Sequence, residues 1–257
     1  MDARPAEPLP DASSDWAYFV DIDGTLIDIA ETPDAIRVDH ALLGLIARLH
    51  RACGGAVALV SGRSLTDVEH RLGGVRIPVA GQHGLERRDA HGRLRRHVAA
   101  AKARRHIQHE LQAVLDAHPA LLLEDKGLSL ALHYRRAPEL AAFIHRTMER
   151  LVGEVDSGLG LQQGKCVLEV KSMGFDKGTA VEEFMAESPF LGRRPVFVGD
   201  DVTDEYGFAA VNRLGGISIK VGAGRTEAHW RLRNVAAVRA WLGSALTRKE
   251  EMHEKQS

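Results

Sequence analysis

Cysteine is nearly missing from this chain, with only Cys53 and Cys166 in 257 residues. Two isolated thiols cannot build a disulfide framework or a thiolate metal cage, which fits a reducing compartment. An excess of either charge is missing too: 34 Lys+Arg stand against 35 Asp+Glu, a formal net charge of -1. No bulk field therefore favours nucleic acid or an anionic membrane, and any anionic ligand must be gripped locally. No apolar run reaches the span of a transmembrane helix, and the opening Met1-Asp2-Ala3-Arg4-Pro5-Ala6-Glu7-Pro8-Leu9-Pro10 has no apolar stretch of the signal type. A soluble cytoplasmic protein is expected, and a monomer. What the chain does have is 44% hydrophobic content over a length that suits one large domain, or a core with an insert.

The most informative stretch is Phe19-Val20-Asp21-Ile22-Asp23-Gly24-Thr25-Leu26, an apolar run that ends in two carboxylates, a glycine and a threonine. In extended backbone, residues two apart project to the same side, so Asp21 and Asp23 can converge at a strand's carboxyl end. Open α/β sheets hold ligands there. Gly24 permits a sharp turn and close approach to a ligand. The plainer alternative is a strand end with a helix-capping Asp and an acidic turn, which the rest of the chain has to decide.

Residues 1–14, rich in Pro, Asp and Ala, read as a disordered leader. Leu42, Leu45, Ile46 and Leu49 recur at helical spacing, and Gly54-Gly55 ends that helix. Ala56 to Val60 is an apolar run of buried-strand type that ends at Ser61-Gly62-Arg63. A helix from Ser64 to Leu72 and a strand from Val75 to Ala80 lead to Gly81-Gln82-His83-Gly84-Leu85-Glu86. This alternation predicts a parallel sheet, completed by a helix from Asp176-Lys177-Gly178, a strand Pro195 to Val198 ending at Gly199-Asp200-Asp201, a strand Ile217 to Val221 and a last helix around Val235 to Trp241. Between them lies a different block. A polar hairpin over Arg87 to Val98, an amphipathic helix from Ala101 to Ala117, strands Leu121 to Glu124 and Gly127 to Tyr134, a helix through Met148, and a hairpin turning near Gly164 make a lid-like α+β insert. The expected division is a core of 15–89 and 173–245, an insert of 90–172 and a charged tail of 246–257. The glycines at 158, 160 and 164 lack dinucleotide-loop spacing, and no helix follows them.

Asp21, Asp23, Ser61, Lys177, Asp200, Asp201 and Asp204 fall at strand ends or helix starts. Carboxylates alone repel a phosphoryl group, so clustering several at one edge requires a cation, and oxygen-only ligands point to Mg²⁺. Lys177 adds positive charge at a helix amino terminus, and Ser61 a hydroxyl donor. Asp21-Ile22-Asp23-Gly24-Thr25, Ser61, Lys177 and Gly199-Asp200-Asp201 together resemble the four ordered motifs of the haloacid-dehalogenase-like (HAD) phosphatases. That resemblance implies a doubly wound α/β core with a cap inserted between the second and third motifs. It implies Asp21 as nucleophile, Asp23 as acid and base, Ser61 and Lys177 as phosphate-holding groups, and Mg²⁺ on Asp21, the main-chain carbonyl of Asp23, and Asp200. Asp204, or else Asp201, completes the set through water; for Asp201 a helix N-cap is the alternative.

Within that superfamily, the 81–86 segment, Glu124-Asp125-Lys126-Gly127, Leu130-Ala131-Leu132-His133-Tyr134-Arg135, Glu169-Val170-Lys171 and Gly199 to Glu205 resemble the trehalose-6-phosphate phosphatases, a likeness that runs from about Trp16 to Trp241. It implies a sugar-phosphate substrate whose distal glucose is read by Glu124, Lys126 and Glu169. Charged groups suit that task, because a wrong sugar leaves them unpaired. Arg63 and His83 are placed on the core side of the cleft, or in structural roles. His133 is expected as a packed strand histidine. His106 and His109, without a third ligand, read as helix surface, and the arginines at 87, 88, 95, 96, 104 and 105 as a solvated face. The rival readings are a phosphatase of sucrose 6-phosphate or mannosylphosphoglycerate, a phosphate-accepting receiver module, and a catalytically silent sugar-phosphate binder.

Overall fold

A computed structural model of the protein describes residues 8–29, 38–97, 100–155 and 158–254. The first half of the expected leader and part of the loop after Ile27 lie outside these residues. The chain opens with β1 (Ala17–Val20), α1 (His40–Ala52), β2 (Val57–Val60), α2 (Leu65–Arg71) and β3 (Val79–Gly81), and then β4 (Glu86–Arg88) and β5 (Leu94–Arg96). After α3 (Ala101–Ala117), β6 (Leu122–Asp125), β7 (Leu130–His133), α4 (Ala141–Gly153), β8 (Leu159–Gly164) and β9 (Val167–Ser172), the first pattern resumes. It ends with α5 (Lys177–Met185), β10 (Pro195–Gly199), α6 (Asp204–Arg213), β11 (Ile217–Val221), β12 (Trp230–Leu232) and α7 (Val235–Glu254).

The larger sheet runs β12-β11-β10-β1-β2-β3-β4-β5. Its strands from β12 to β3 are parallel, and β4 and β5 add an antiparallel edge. Helices cover both faces, so strand residues alternate between two cores. Tyr18 and Val20 face the α1 and α7 side, while Ala17 and Phe19 face the α5 and α6 side. Phe19 stacks on Phe190 at 5.4 Å between centroids, and truncating a ring so enclosed costs about 3–5 kcal/mol. The chain leaves β1 toward β2 and β3 on one side and returns to β10 and β11 on the other, which makes β1/β10 the switch point where α/β sheets leave a crevice.

The smaller sheet, β6-β7-β9-β8, is wholly antiparallel and closes its own core with α3 and α4 around Ile107, Leu111, Leu132, Ile144 and Met148. The chain crosses between the two sheets after β5 and again after β9.

Four expectations change. Residues assigned to a disordered leader pack on the core from position 9 onward. Ala12 is fully buried, the Tyr18 hydroxyl donates to the Ser13 carbonyl at 2.7 Å, and Trp241 Nε1 donates to the Pro10 carbonyl at 3.0 Å. The strand expected over 75–80 starts only at Val79: Pro78 has no N–H to give the ladder, and only its carbonyl joins, accepting from the Leu59 N–H at 3.0 Å. β5, assigned to the insert, is the outermost strand of the larger sheet. The last helix runs on to Glu254 through what reads as a charged tail, and β12, too short and polar to show as a pattern, had no counterpart in the sequence.

Candidate active site

Because β1, β2 and β10 are parallel and in close register, their carboxyl ends present Asp21, Ser61 and Asp200 along one edge. Gly24 has φ +83°, and a Cβ there would sit 2.2 Å from Asp200 Oδ2. Only glycine lets the acidic loop after β1 and the β10 end meet so closely. Asp204 lies at the start of α6 and is wholly buried; its Oδ2 accepts from the Asp201 backbone N–H at 2.8 Å. The N-cap position of α6 is Thr203, which leaves Asp201 in the cleft wall rather than as a cap.

Carboxylate oxygens of Asp21, Asp200 and Asp204 come within 4.8 Å of one another. The first residue of α5 reaches into them: Lys177 Nζ donates to Asp21 Oδ1 at 2.8 Å and to Asp204 Oδ1 at 2.6 Å. Asp176 caps this helix through a reciprocal box with Thr179, which fixes where Lys177 emerges. Burial pushes the Asp21 carboxyl up; Lys177 opposes this, while Asp204, Asp200 and Asp23 add to it. Burial and then Asp204 push Asp200 up to about 6. Burial alone would lower Lys177, but Asp204 and Asp21 overcome it and hold the ammonium above its ordinary range. Too little positive charge stands here for so many carboxylates. Three convergent oxygen donors in that state suit a divalent cation, which lets them ionise together.

Asp23 points elsewhere. Arg63 clamps it with Nε to Oδ2 at 2.6 Å and the second guanidinium nitrogen to Oδ1 at 2.8 Å, and Asp67 holds Arg63 from behind at 2.7 Å. Ser61 is fully buried and its Oγ accepts from the Arg63 backbone N–H at 3.2 Å; at this strand end the cleft wall is Gly62 and Arg63.

A cleft of about 360 Å³ runs from this edge to the smaller sheet. Its far wall carries Glu124, Lys126 and Glu169. Lys126 Nζ donates to Glu169 Oε2 at 3.1 Å and to the Gly62 carbonyl of the larger domain at 2.9 Å. His83, on the core side, sets its Nε2 3.3 Å from the same Glu169 oxygen. His133, expected to be packed, lines the cleft and meets Glu124 at 2.9 Å. Burial would raise Glu169, but Lys126 and His83 hold it well below the usual carboxylate range. The cleft thus brings together the candidate catalytic, metal and sugar-reading residues except Ser61, which stays behind its wall, and Asp204, which is wholly buried and does not line it.

Burial lowers His83 to about 4 from an ordinary 6.5, so the folded ring is neutral where the unfolded one takes a proton. The unfolded state then binds the extra proton as pH falls below 6.5, and the His83 contribution to stability declines by about 2 kcal/mol at about pH 5, while Asp200, raised to about 6, shifts stability the opposite way. Glu169 loses its own contribution only below its ordinary 4.5. Urea midpoints at neutral pH and near pH 5 measure this: His83→Gln is expected to remove that part of the slope, and an unchanged slope would contradict a neutral ring.

Four contributors escaped sequence reasoning. Thr25 Oγ1 lies 3.4 Å from Asp21 Oδ2 and 3.5 Å from Asp200 Oδ1, tying the two carboxylates together. Lys220, buried at the end of β11, donates its Nζ to the Asp200 carbonyl and fixes that loop. Arg135 and Lys165 line the mouth of the cleft. Thr25 follows the acidic pair directly and could have been weighed; Lys220 sits in an apolar strand with no signal but its charge.

The sequence and the fold are similar to those of known proteins. A family model described as trehalose-phosphatase matches residues 19–236. The trehalose-6-phosphate phosphatase of Escherichia coli (strain K12) is 43% identical over 252 residues, 98% of this chain and 94% of that protein. Among solved structures, the C-terminal domain of the C. albicans trehalose-6-phosphate phosphatase superposes with a TM-score of 0.80 at 21% identity, over 90% of this chain and 91% of that one. A phosphatase of the haloalkanoate (HAD) superfamily from Bacteroides thetaiotaomicron gives a TM-score of 0.62 at 16% identity, over 93% and 100% of the chains. With a HAD fold, a carboxylate triad at its switch point and a family match over most of its length, this chain belongs to the trehalose-phosphatase family.

Proposed function

We propose that the protein hydrolyses trehalose 6-phosphate to trehalose and phosphate, with Mg²⁺ held by Asp21 and Asp200, by the Asp23 main-chain carbonyl and, through water, by Asp204. One observation carries the reading: a single cleft has its acid cluster and Lys177 at one end and the Glu124, Lys126 and Glu169 set at the other. A ligand that satisfies both is phosphorylated at one end and rich in hydroxyls at the other. A volume of about 360 Å³ is at the small end of the about 300–1,000 Å³ typical of small-molecule sites, which suits a disaccharide phosphate.

A divalent cation held by these carboxylates would supply the positive charge that neutralises them and the phosphoryl oxygens. Asp21 attacks phosphorus, the bond from phosphorus to the sugar oxygen breaks, and Asp23 gives that oxygen its proton. Asp23 then takes a proton from water as the water attacks the Asp21 phosphoryl ester, and the Asp21 carboxylate is released. To do this Asp23 has to turn from Arg63, which leaves the guanidinium free to face the phosphate. Lys177 keeps Asp21 aimed and lends positive charge to the transferred group. The block of the smaller sheet serves as a cap, with its crossings after β5 and β9, and closes over the nucleophile around the sugar-reading groups. Cys53 and Cys166 are joined in no disulfide, which suits a reducing compartment such as the cytoplasm.

Phosphate release from trehalose 6-phosphate, sucrose 6-phosphate, mannosylphosphoglycerate, glucose 6-phosphate and an aryl phosphate tests the assignment. The first is expected to lead in kcat/KM by at least about 10²-fold, since a site built on buried hydrogen-bonding groups rejects sugars that leave them unpaired. A chelator should bring turnover to background and Mg²⁺ restore it. Equal rates on glucose 6-phosphate would show that the second ring goes unread.

A further inference from the structure

Gln82 follows β3 with φ +46° and His83 follows with φ +56°, two consecutive left-handed residues that bear side chains. Such backbone costs about 1–2 kcal/mol per residue and persists only where its surroundings enforce it. The outcome is a split in direction. His83 faces the cleft, while the Gln82 side chain, 1% exposed, spans the two sheets' domains. Its Oε1 accepts from Ser129 Oγ at 3.0 Å and from the Leu128 backbone N–H at 3.3 Å, both in the β6–β7 turn. Its Nε2 donates to Glu86 Oε1 at 2.9 Å. That oxygen also accepts from the Leu65 backbone N–H at 2.8 Å, at the start of α2, and Arg96 holds the other Glu86 oxygen at 3.2 Å. The amide oxygen thus accepts twice and the amide nitrogen donates once, and only one orientation satisfies both ends.

We propose that Gln82 is a positioning residue, the pivot that anchors the β6–β7 turn to the core and so fixes the distance from Lys126 and Glu169 to Asp21. The turn closes on itself through Lys126 N–H to the Ser129 carbonyl at 3.1 Å, so holding residues 128 and 129 holds Lys126. Across the ladder, Ala131 faces Glu169. A cap that rocks about Gln82 moves least at Lys126 and Glu169 and most at the other end of β7, where His133 stands about 13 Å along the strand. Ser129 is fully buried and gives its one hydroxyl proton to Gln82, so the turn's only side-chain donor at that position is committed to the anchor. The proposal rests on the disaccharide reading for its kinetic consequence and on the hydrogen bonds alone for its mechanical one.

The test uses Gln82→Met, which keeps length and loses both polar functions, with Ser129→Ala and Ser129→Thr. Amide exchange followed by NMR or mass spectrometry in full-length protein is expected to speed up at Leu128 and across the 126–129 turn in Gln82→Met, with the β7–β9 ladder unchanged. Unaltered exchange in the turn overturns the pivot whatever the substrate is. On trehalose 6-phosphate, Gln82→Met and Ser129→Ala should each raise KM by about fivefold, the size of one buried hydrogen bond, with kcat and aryl phosphate turnover within about twofold of the parent. Ser129→Thr should restore KM, and the double variant should lose no more than the worse single one. Multiplicative losses in the double variant, or equal losses on the aryl phosphate, overturn the proposal. A parent protein inactive on trehalose 6-phosphate but active on the aryl phosphate would sink the disaccharide reading and leave the exchange result standing.

Discussion

Asp21→Asn is expected to lower phosphate release by at least about 10³-fold while leaving the protein folded and more stable in the presence of a chelator. The loss follows from replacing a nucleophilic carboxylate with an amide that cannot attack phosphorus. The gain follows from electrostatics. Burial, with Asp204, Asp200 and Asp23 nearby, pushes the Asp21 carboxyl up even against the pull of Lys177, so its ionised form is held at a cost to the fold. A neutral amide of the same shape removes that cost and still accepts a hydrogen bond from Lys177. For a chain of this size about 1 kcal/mol corresponds to about 2–4 °C in Tm, so a rise of a few degrees is the expected reading. Added Mg²⁺ should then stabilise the parent more than the variant, since only the parent keeps the full carboxylate set. Melting curves with chelator and with Mg²⁺, beside a phosphate-release assay, provide all three readings. Residual turnover within tenfold of the parent would remove Asp21 from the nucleophile's place, and this site exemplifies how active centres trade stability for function.

The doubly wound core was legible because its signals are local. Alternating apolar runs, glycine stops and an acidic pair two residues apart each report on a few neighbouring positions, and parallel strands then bring their ends to one edge without further information. Asp21, Lys177 and Asp200 were found this way and meet around one point. What the sequence hid was pairing over long distances. Nothing near Arg63 announces that it will grip Asp23 forty positions away in the chain, and nothing near Lys126 that it will span from Glu169 to the Gly62 carbonyl. Gln82 stands within a motif but carries no periodicity or charge, so its part in joining the two sheets shows only in the folded structure. Residues 8–14 show the opposite error. Their composition resembles disorder, yet Ala12 and the Pro10 carbonyl fill places against Tyr18 and Trp241 that a tally of Pro, Asp and Ala cannot represent.

Lys177→Met should fail in the other direction from Asp21→Asn: both lose turnover, but this one also loses the fold's tolerance for its acids. The side chain is 3% exposed and its ammonium is the shared partner of Asp21 and Asp204. Removing one member of such a buried pair leaves uncompensated charge and costs about 3–5 kcal/mol, a fall in Tm on the order of 10 °C. Turnover should drop by about 10²–10³-fold, the range found when one preorganised group that stabilises developing charge is removed. Arginine is not a rescue, because a planar five-donor fork does not fit where one compact ammonium touches two carboxylates. Mg²⁺ supplies a counter-charge to the same oxygens, so it should return part of the lost Tm without restoring the rate, which separates the ammonium's electrostatic service to the fold from its service to the transferring phosphoryl group. If Lys177→Met melts with the parent in chelator, Asp21 and Asp204 do not depend on it for neutralisation. If it turns over within tenfold of the parent, the ammonium has no part in the transition state.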